Sequence, residues 1–140
     1  MTALPEEADG ALAVGWATVE LDRAARELSH LLAAGAGFSP AASSVILGAR
    51  CRSAPAAEAG LWIALLEPDT EGRLAGSLAR NGEGWAATWV VPAATGATSA
   101  TRTRGLSAAR PGPFGPERLL LTRSFSGTHR LCVEAVPSPP

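Results

Sequence analysis

Residues 61–90 contain the pattern that most restricts the fold of this chain. The apolar run 61–66 is followed by Glu67-Pro68, and residues 74–80 then have the composition of a short helix. A Gly-Glu-Gly turn at 82–84 leads into a second apolar run at 85–91. A buried strand, a helix, a turn and another buried strand in this order predict a mixed α and β domain.

Length and composition predict one globular domain. The chain has 140 residues, of which 46% are hydrophobic and 18% are charged, and this is enough to bury a single core. The net charge of -1 gives no electrostatic reason to expect a nucleic acid or an anionic membrane as a partner. The acidic start, residues 1–10, does not resemble a secretory signal, and no apolar run is long enough to span a bilayer. We therefore expect a cytoplasmic protein.

The two cysteines are Cys51 and Cys132, and they form no Cys-x-x-Cys motif. Their spacing does not indicate a zinc site or a disulfide framework, so reduced thiols are expected.

The order of predicted elements is similar in the two halves of the chain. In the first half we expect strands at 11–19, 44–52 and 61–66, a helix capped by Asp22 and ended by Gly35 and Gly37, a loop at 53–60 and a linking helix at 74–80. In the second half we expect a strand at 85–91, a weak helix around 94–104, a Pro-rich bend at 111–116, and strands at 118–122 and 129–136.

The Leu-Leu-Glu-Pro strand end and the Gly-Glu-Gly turn give the chain a family resemblance. The sequence resembles the vicinal oxygen chelate superfamily, which includes glyoxalase I, methylmalonyl-CoA epimerases and bleomycin-resistance proteins. The resemblance covers residues 11–136 and implies an α+β fold, with two βαβββ modules at about 11–80 and 81–137 forming a curved sheet that encloses a cavity. It also implies a homodimer. Residues 1–10 and 138–140 are expected to be a flexible N-terminus and a tail.

Metal-binding members of this superfamily take their ligands from four inward-facing strand positions. The resemblance places three of these on Val14, with an uncertainty of one residue, on Ala64 and on Ala87. None of the three side chains can coordinate a metal. Glu134, on the last strand, is the one donor that remains. A single carboxylate does not hold a catalytic divalent ion, so no metal and no other cofactor is expected.

Strand alternation predicts which other side chains share the cavity. Residues two apart on a strand point to the same face. Counting from the four former ligand positions puts these residues inside the cavity: Trp16, Thr18, Trp62, Trp85, Trp89, Arg130, Cys132 and Glu134. Arg123 and His129 flank the hairpin before the last strand, where they could orient an anionic or carbonyl group, although a solvated role is the commoner one. The tryptophans either line a binding cavity or are ordinary core residues.

Two functions follow from these alternatives. The first is metal-independent sequestration of an aromatic or polycyclic small molecule, as in the bleomycin-resistance branch, with a role in antibiotic self-resistance in secondary metabolism. The second is a metal-independent isomerase, cyclase or dehydratase of natural-product biosynthesis. In that enzyme Glu134 would be the acid or base, because burial of a carboxyl raises its pKa. A closed oligomeric scaffold without a ligand is a third alternative.

Overall fold

A computed structural model describes residues 2–91, 105–121 and 128–133. The strands are β1 (Ala13–Ala17), β2 (Ala42–Ser44), β3 (Ala49–Pro55), β4 (Trp62–Pro68), β5 (Gly84–Val90), β6 (Glu117–Leu119) and β7 (His129–Val133). The α-helices are α1 (Leu21–Glu27) and α2 (Arg73–Asn81), and short 3-10 helices lie at Glu6–Ala8 and Ser29–Leu31. No helix in these ranges is long and apolar enough to cross a membrane.

The seven strands form one mixed sheet in the order β2-β3-β4-β1-β5-β7-β6. β1 is parallel to β4, β5 is parallel to β7, and the antiparallel pair of β1 and β5 joins the two halves. The predicted fold class, an α+β curved sheet, is therefore confirmed. The weak helix predicted at 94–104 lies outside the described residues.

The sheet has an inner and an outer face, each with its own apolar cluster. On the outer face, Leu21, Ala24 and Leu28 from the α1 region pack against Leu65. The N-terminal segment covers another part of that face, where Leu4 packs against Val14 and Ile63. On the inner face the core contains Ala13, Ala17, Leu47, Cys51, Ala64, Leu66, Leu74, Ala86, Ala87, Trp89, Phe114, Leu119, Leu131 and Val133.

Several predicted boundaries in the first half differ from those observed. The strand expected at 44–52 is divided by a turn, in which the Gly48 N–H donates to the Ser44 carbonyl oxygen at 3.0 Å and Gly48 has a φ of +66°. A residue in the left-handed conformation interrupts an extended strand, and glycine adopts this conformation without steric cost. β3 also continues to Pro55, into the expected loop. Glu20, and not Asp22, occupies the N-cap position of α1.

The two motif glutamates stabilise the start of α1. Glu83, in the Gly-Glu-Gly turn, accepts a hydrogen bond from the Val19 N–H at 3.0 Å, and Glu67, in Leu-Leu-Glu-Pro, accepts one from the Leu21 N–H at 3.3 Å. The Val19 bond and an ion pair with Arg23 lower the pKa of Glu83. Carboxylates near a helix N-terminus satisfy free N–H groups and interact favourably with the positive end of the helix dipole. Both motifs therefore specify the fold.

Candidate active site

Three small residues lie side by side on the central strands of the inner face. Gly15 in β1 pairs with Ala64 in β4 and with Ala87 in β5. Val14, the first-strand position favoured from the sequence, packs in the outer cluster, so that assignment is wrong by one residue and Gly15 takes its place. The error follows from strand geometry, because a shift of one residue moves a side chain to the opposite face.

The indole of Trp89 fills the space above this row. A Cβ atom added at Gly15 would lie 2.8 Å from Trp89 Cζ3 and 2.7 Å from Leu66 Cδ1. Gly15, Ala64 and Ala87 carry no donor atom, and within the described ranges no three His, Cys, Asp or Glu side chains are grouped to hold a metal ion. The residues at these positions do not fit the metal centre of the superfamily.

A buried carboxyl group lies on the same face. Glu117 in β6 is completely buried. Its Oε2 accepts a hydrogen bond from Ser44 Oγ at 2.6 Å, and its Oε1 accepts one from Trp89 Nε1 at 2.9 Å. It forms no ion pair with any described residue. A carboxyl group held in this way is costly to ionise.

Burial and hydrogen bonding act on the pKa of Glu117 in opposite directions. Burial raises this pKa and is the largest effect, whereas the bonds from Ser44 and Trp89 lower it. The net direction is upward. Cys51 lies in the same core, and burial, together with the charge of Glu117, raises the pKa of its thiol to about 12. The cysteine therefore stays a neutral thiol, and Glu117 is the group of this cluster suited to proton transfer.

Residues 110–116 cover Glu117, and we call them the cover loop. The backbones of Arg110 and Glu117 form two hydrogen bonds, of 2.9 and 2.8 Å. Phe114 inserts its ring beside Trp89 and Trp62, at centroid distances of 5.3 and 6.2 Å. Gly112 passes directly over the carboxyl group, where an added Cβ would overlap the Glu117 side chain. Access to the carboxyl from solvent requires this loop to move.

Replacing Gly112 by alanine is expected to lower the free energy of unfolding by about 1–3 kcal/mol, because the methyl group overpacks a buried carboxyl. Urea denaturation measures the effect. Gly37→Ala is the control, since no atom lies within 4 Å of its added Cβ, and we expect it to change stability by less than about 0.5 kcal/mol. In a Glu117→Ala background the cost of Gly112→Ala should be smaller. An equal cost in both backgrounds would contradict the contact.

The structure places the four tryptophans on two faces, so the prediction of a shared cavity is wrong. Trp62 and Trp89 belong to the inner face, whereas Trp16 and Trp85 pack against each other with α1, at a centroid distance of 5.1 Å. Trp16 was placed on the wrong face for the same reason as Val14, an error of one residue in β1. Trp85 changes face because the β1–β5 register shifts, pairing Gly15 with Ala87 but Trp16 with Trp85. Such a bulge reverses the alternation.

Other predicted cavity residues also lie elsewhere. Thr18 directly follows β1 and donates from Oγ1 to Glu83 Oε2 at 3.2 Å, so it supports the turn and does not line the inner face. Leu131 and Val133 belong to the inner core, which turns Arg130 and Cys132 of the same strand outward. Those three assignments are wrong. The error on β7 is again one residue of register.

His129 is the member of the predicted set that lies beside α2. Burial lowers the pKa of its ring, and the positive charges of Arg73 and Arg80 lower it further. Its Nε2 atom is buried and has no hydrogen-bond partner among the described residues. Arg123 and Glu134 lie outside the described residues.

The sequence alone does not indicate Glu117 as a functional residue. It stands at the start of a three-residue strand after a Pro-rich segment, and Ser44, its partner, is 73 positions away. The one local signal is its position two residues before Leu119, which also faces inward. That alternation becomes informative only when the face of β6 is known.

Comparison with solved structures identifies the fold. This sheet, built from two halves joined by antiparallel first strands, is the vicinal oxygen chelate fold, as the resemblance predicts. Methylmalonyl-CoA epimerase from Mycobacterium tuberculosis matches 99% of this chain and 94% of its own, with a TM-score of 0.68 and 22% identity. A hypothetical protein from Bacillus halodurans matches 93% of this chain and 96% of its own, with a TM-score of 0.65 and 17% identity.

A variant of Streptomyces coelicolor methylmalonyl-CoA epimerase in complex with 2-nitronate-propionyl-CoA has a TM-score of 0.65 and 20% identity, and covers 89% of this chain and 96% of that one. No family model matches the sequence, and no curated protein matches it. At these identities the likeness establishes the fold.

The predicted sequestration of an aromatic ligand is wrong. The neighbours named by activity are epimerases that act on CoA compounds, and they support the enzymatic alternative. The physical reason lies on the inner face, where Phe114 and Trp89 pack against each other. The aromatic rings that were expected to bind a ligand contact other parts of the protein.

Proposed function

We propose that this protein is an isomerase-type enzyme that moves a proton at the carbon next to a thioester carbonyl without a bound metal. The observation that carries the proposal is Glu117, a buried carboxyl with a raised pKa and no ion pair with the described residues, on the inner face of the sheet. The comparison with solved structures also supports the proposal, because epimerases of methylmalonyl-CoA share this fold.

The chemistry requires a base that can become an acid. In the proposed reaction the Glu117 carboxylate removes the proton, so that the C–H bond breaks and the carboxyl O–H bond forms. The electron pair moves into the carbonyl and gives an enolate. A proton delivered to the opposite side of the carbon restores the C–H bond with inverted configuration. A raised pKa suits both steps, because it brings the carboxyl closer to neutral pH.

The hydrogen bonds around Glu117 fix the direction of the carboxyl. Ser44 Oγ and Trp89 Nε1 hold one oxygen each, so the group cannot rotate freely, and a fixed base loses less entropy in the reaction. Opening of the cover loop would admit the substrate. Glu117 is proposed as the base in place of Glu134, the acid or base expected from the resemblance, because that expectation used the same strand alternation as the assignments of Arg130 and Cys132. Water admitted by the open loop delivers the second proton to the opposite side of the carbon.

Deuterium exchange tests this function. The protein, treated with a chelator and checked by elemental analysis, is incubated in D2O with one epimer of methylmalonyl-CoA. We expect uptake of deuterium at the reacting carbon and formation of the other epimer, with far less than one metal ion per chain. Recovery of the compound unlabelled and with its configuration retained would reject the proposal. Activity that appears only after a metal is added would reject the metal-free mechanism.

Homodimer formation and a cytoplasmic location also remain proposals. The first rests on the superfamily resemblance. Light scattering on the purified protein distinguishes a monomer from a dimer.

A further inference from the structure

A groove with two arginine side chains lies next to the Glu117 cluster. Its volume is about 280 Å³, and it is lined by Val45, Ile46, Arg73, Ser107, Ala108, Arg110 and Leu119. We call it the Arg73–Arg110 groove. Arg73 is the first residue of α2, and Arg110 is the first residue of the cover loop.

Three residues that line the groove are also close to the residues that hold the buried carboxyl. Arg110 pairs with Glu117 through two backbone hydrogen bonds. Val45 follows Ser44, whose hydroxyl bonds the carboxyl. Leu119 lines the groove and also belongs to the inner core, two residues beyond Glu117 on the same strand. A ligand bound in the groove would therefore contact the first residue of the cover loop and residues next to those that hold the carboxyl.

The groove brings together two arginines without ion pairs among the described residues. Arg23, Arg50 and Arg52 each form an ion pair with a carboxylate. Arg73 and Arg110 form no ion pair with any described residue, and no carboxylate is among the residues that line the groove. Two guanidinium groups left without carboxylates in one groove are suited to bind an anion. Arginine binds phosphate well because its planar fork donates two parallel hydrogen bonds.

We propose that the Arg73–Arg110 groove binds a phosphate group of a phosphorylated carrier, such as the coenzyme A part of an acyl thioester. The inference rests on the proposed function in one respect, since it treats the bound molecule as the substrate of the Glu117 site. Phosphate binding at the groove would place the acyl end of the substrate toward the cover loop.

The ring of His129 is sensitive to the charge of Arg73, so it reports on the groove. The charge of Arg73 lowers the pKa of this ring, so an anion that neutralises Arg73 should raise it. The charge of Arg80 also lowers the pKa of His129 and would continue to do so, so the rise should be partial. The chain has two histidines, and His30 lies on the outer side, where its Nε2 contacts the Thr2 carbonyl oxygen at 2.7 Å. It serves as an internal reference in an NMR titration.

Calorimetric titration with coenzyme A, which has no acyl group, tests the groove separately from the reaction. We expect Arg73→Gln and Arg110→Gln each to weaken coenzyme A binding by about tenfold, and the double variant by more, because each loses a charge-assisted bond. Pantetheine lacks the phosphates and should bind the wild type and the double variant equally weakly. Inorganic pyrophosphate should compete with coenzyme A and raise the pKa of His129 in the wild type only.

Arg26→Gln is the matched control, because Arg26 is an arginine of a different groove beside α1. The proposal is overturned if the double variant binds coenzyme A as tightly as Arg26→Gln does, or if the wild type does not bind it. Arginine-dependent binding of coenzyme A without deuterium exchange would retain the groove and reject the epimerase function. Deuterium exchange that the arginine variants do not change would retain the epimerase function and reject the groove.

Discussion

Glu117→Gln is expected to lower turnover in the deuterium-exchange assay by about 10² to 10⁴, with little change in substrate affinity. Glutamine fits the same space. Its amide oxygen can accept from Trp89 Nε1, and its NH2 group can donate to Ser44 Oγ, so the polar contacts of the carboxyl are kept. What is lost is the ability to hold and release a proton. The measurement is the initial rate of exchange together with the affinity for the thioester.

Two further variants make this result interpretable. Glu83→Gln also removes a carboxylate, but Glu83 binds the Val19 N–H just before α1, so we expect a loss of stability with turnover retained. Glu134→Gln tests the residue indicated by the family resemblance. If Glu134→Gln abolished exchange and Glu117→Gln left it unchanged, the assignment of the base to Glu117 would be wrong.

The Glu117→Gln variant should also change how stability depends on pH. Folding raises the pKa of Glu117 above its ordinary value near 4.5, so the folded state binds this proton more tightly than the unfolded state. Its contribution to stability is fully present below pH 4.5 and is lost as pH rises through the raised value. The glutamine variant has no such loss. Its stability relative to the wild type should therefore increase with pH across this interval, as urea denaturation at several pH values would show.

Trp89→Ala is expected to lower the free energy of unfolding by about 3–5 kcal/mol, which is a large part of the stability of a small domain. The indole is completely buried. It packs against Gly15, Leu66 and Phe114 and donates a hydrogen bond to Glu117. The truncation would leave a cavity over the row of small residues and a buried carboxyl with one donor fewer. Urea denaturation followed by far-UV circular dichroism measures the change.

Two other tryptophan variants separate packing from hydrogen bonding. Trp89→Phe keeps an aromatic ring beside Phe114 but removes the N–H donor, and we expect a cost of about 1–3 kcal/mol. Trp62→Ala truncates a half-buried ring on the same face and should cost less than Trp89→Ala. Equal effects at Trp62 and Trp89 would show that Trp89 does not have the central position in the core that its burial indicates.

The order of β4, α2 and β5 could be predicted because it follows from two local motifs, Leu-Leu-Glu-Pro and Gly-Glu-Gly. The hydrogen bonds from the Val19 and Leu21 N–H groups to the glutamates of these motifs span 64 and 46 positions, so the sequence does not indicate them. The absence of donor atoms at Ala64 and Ala87 is also read directly from the sequence. Both alanines lie in the inner core, as expected.

The sequence does not determine which side chains of β1, β5 and β7 point to the inner face of the sheet. Side chains alternate along a strand, so an error of one residue on β1 and on β7 placed Val14, Arg130 and Cys132 on the wrong side. On β5 the alternation itself is broken between Trp85 and Ala87. A bulge arises from the pairing of two strands, and no pattern within one strand indicates where it will occur.

Local sequence patterns predict the order of elements, because capping, turns and apolar runs depend on residues close together in the chain. The family resemblance that these patterns carry implies the fold and the lack of metal-binding side chains at two inner positions, Ala64 and Ala87. The tertiary structure decided where the chemistry lies. Ser44, Trp89 and Glu117 become neighbours only when strands from both halves join one sheet, and burial there changes the pKa of the carboxyl, since desolvation depends on everything packed around it.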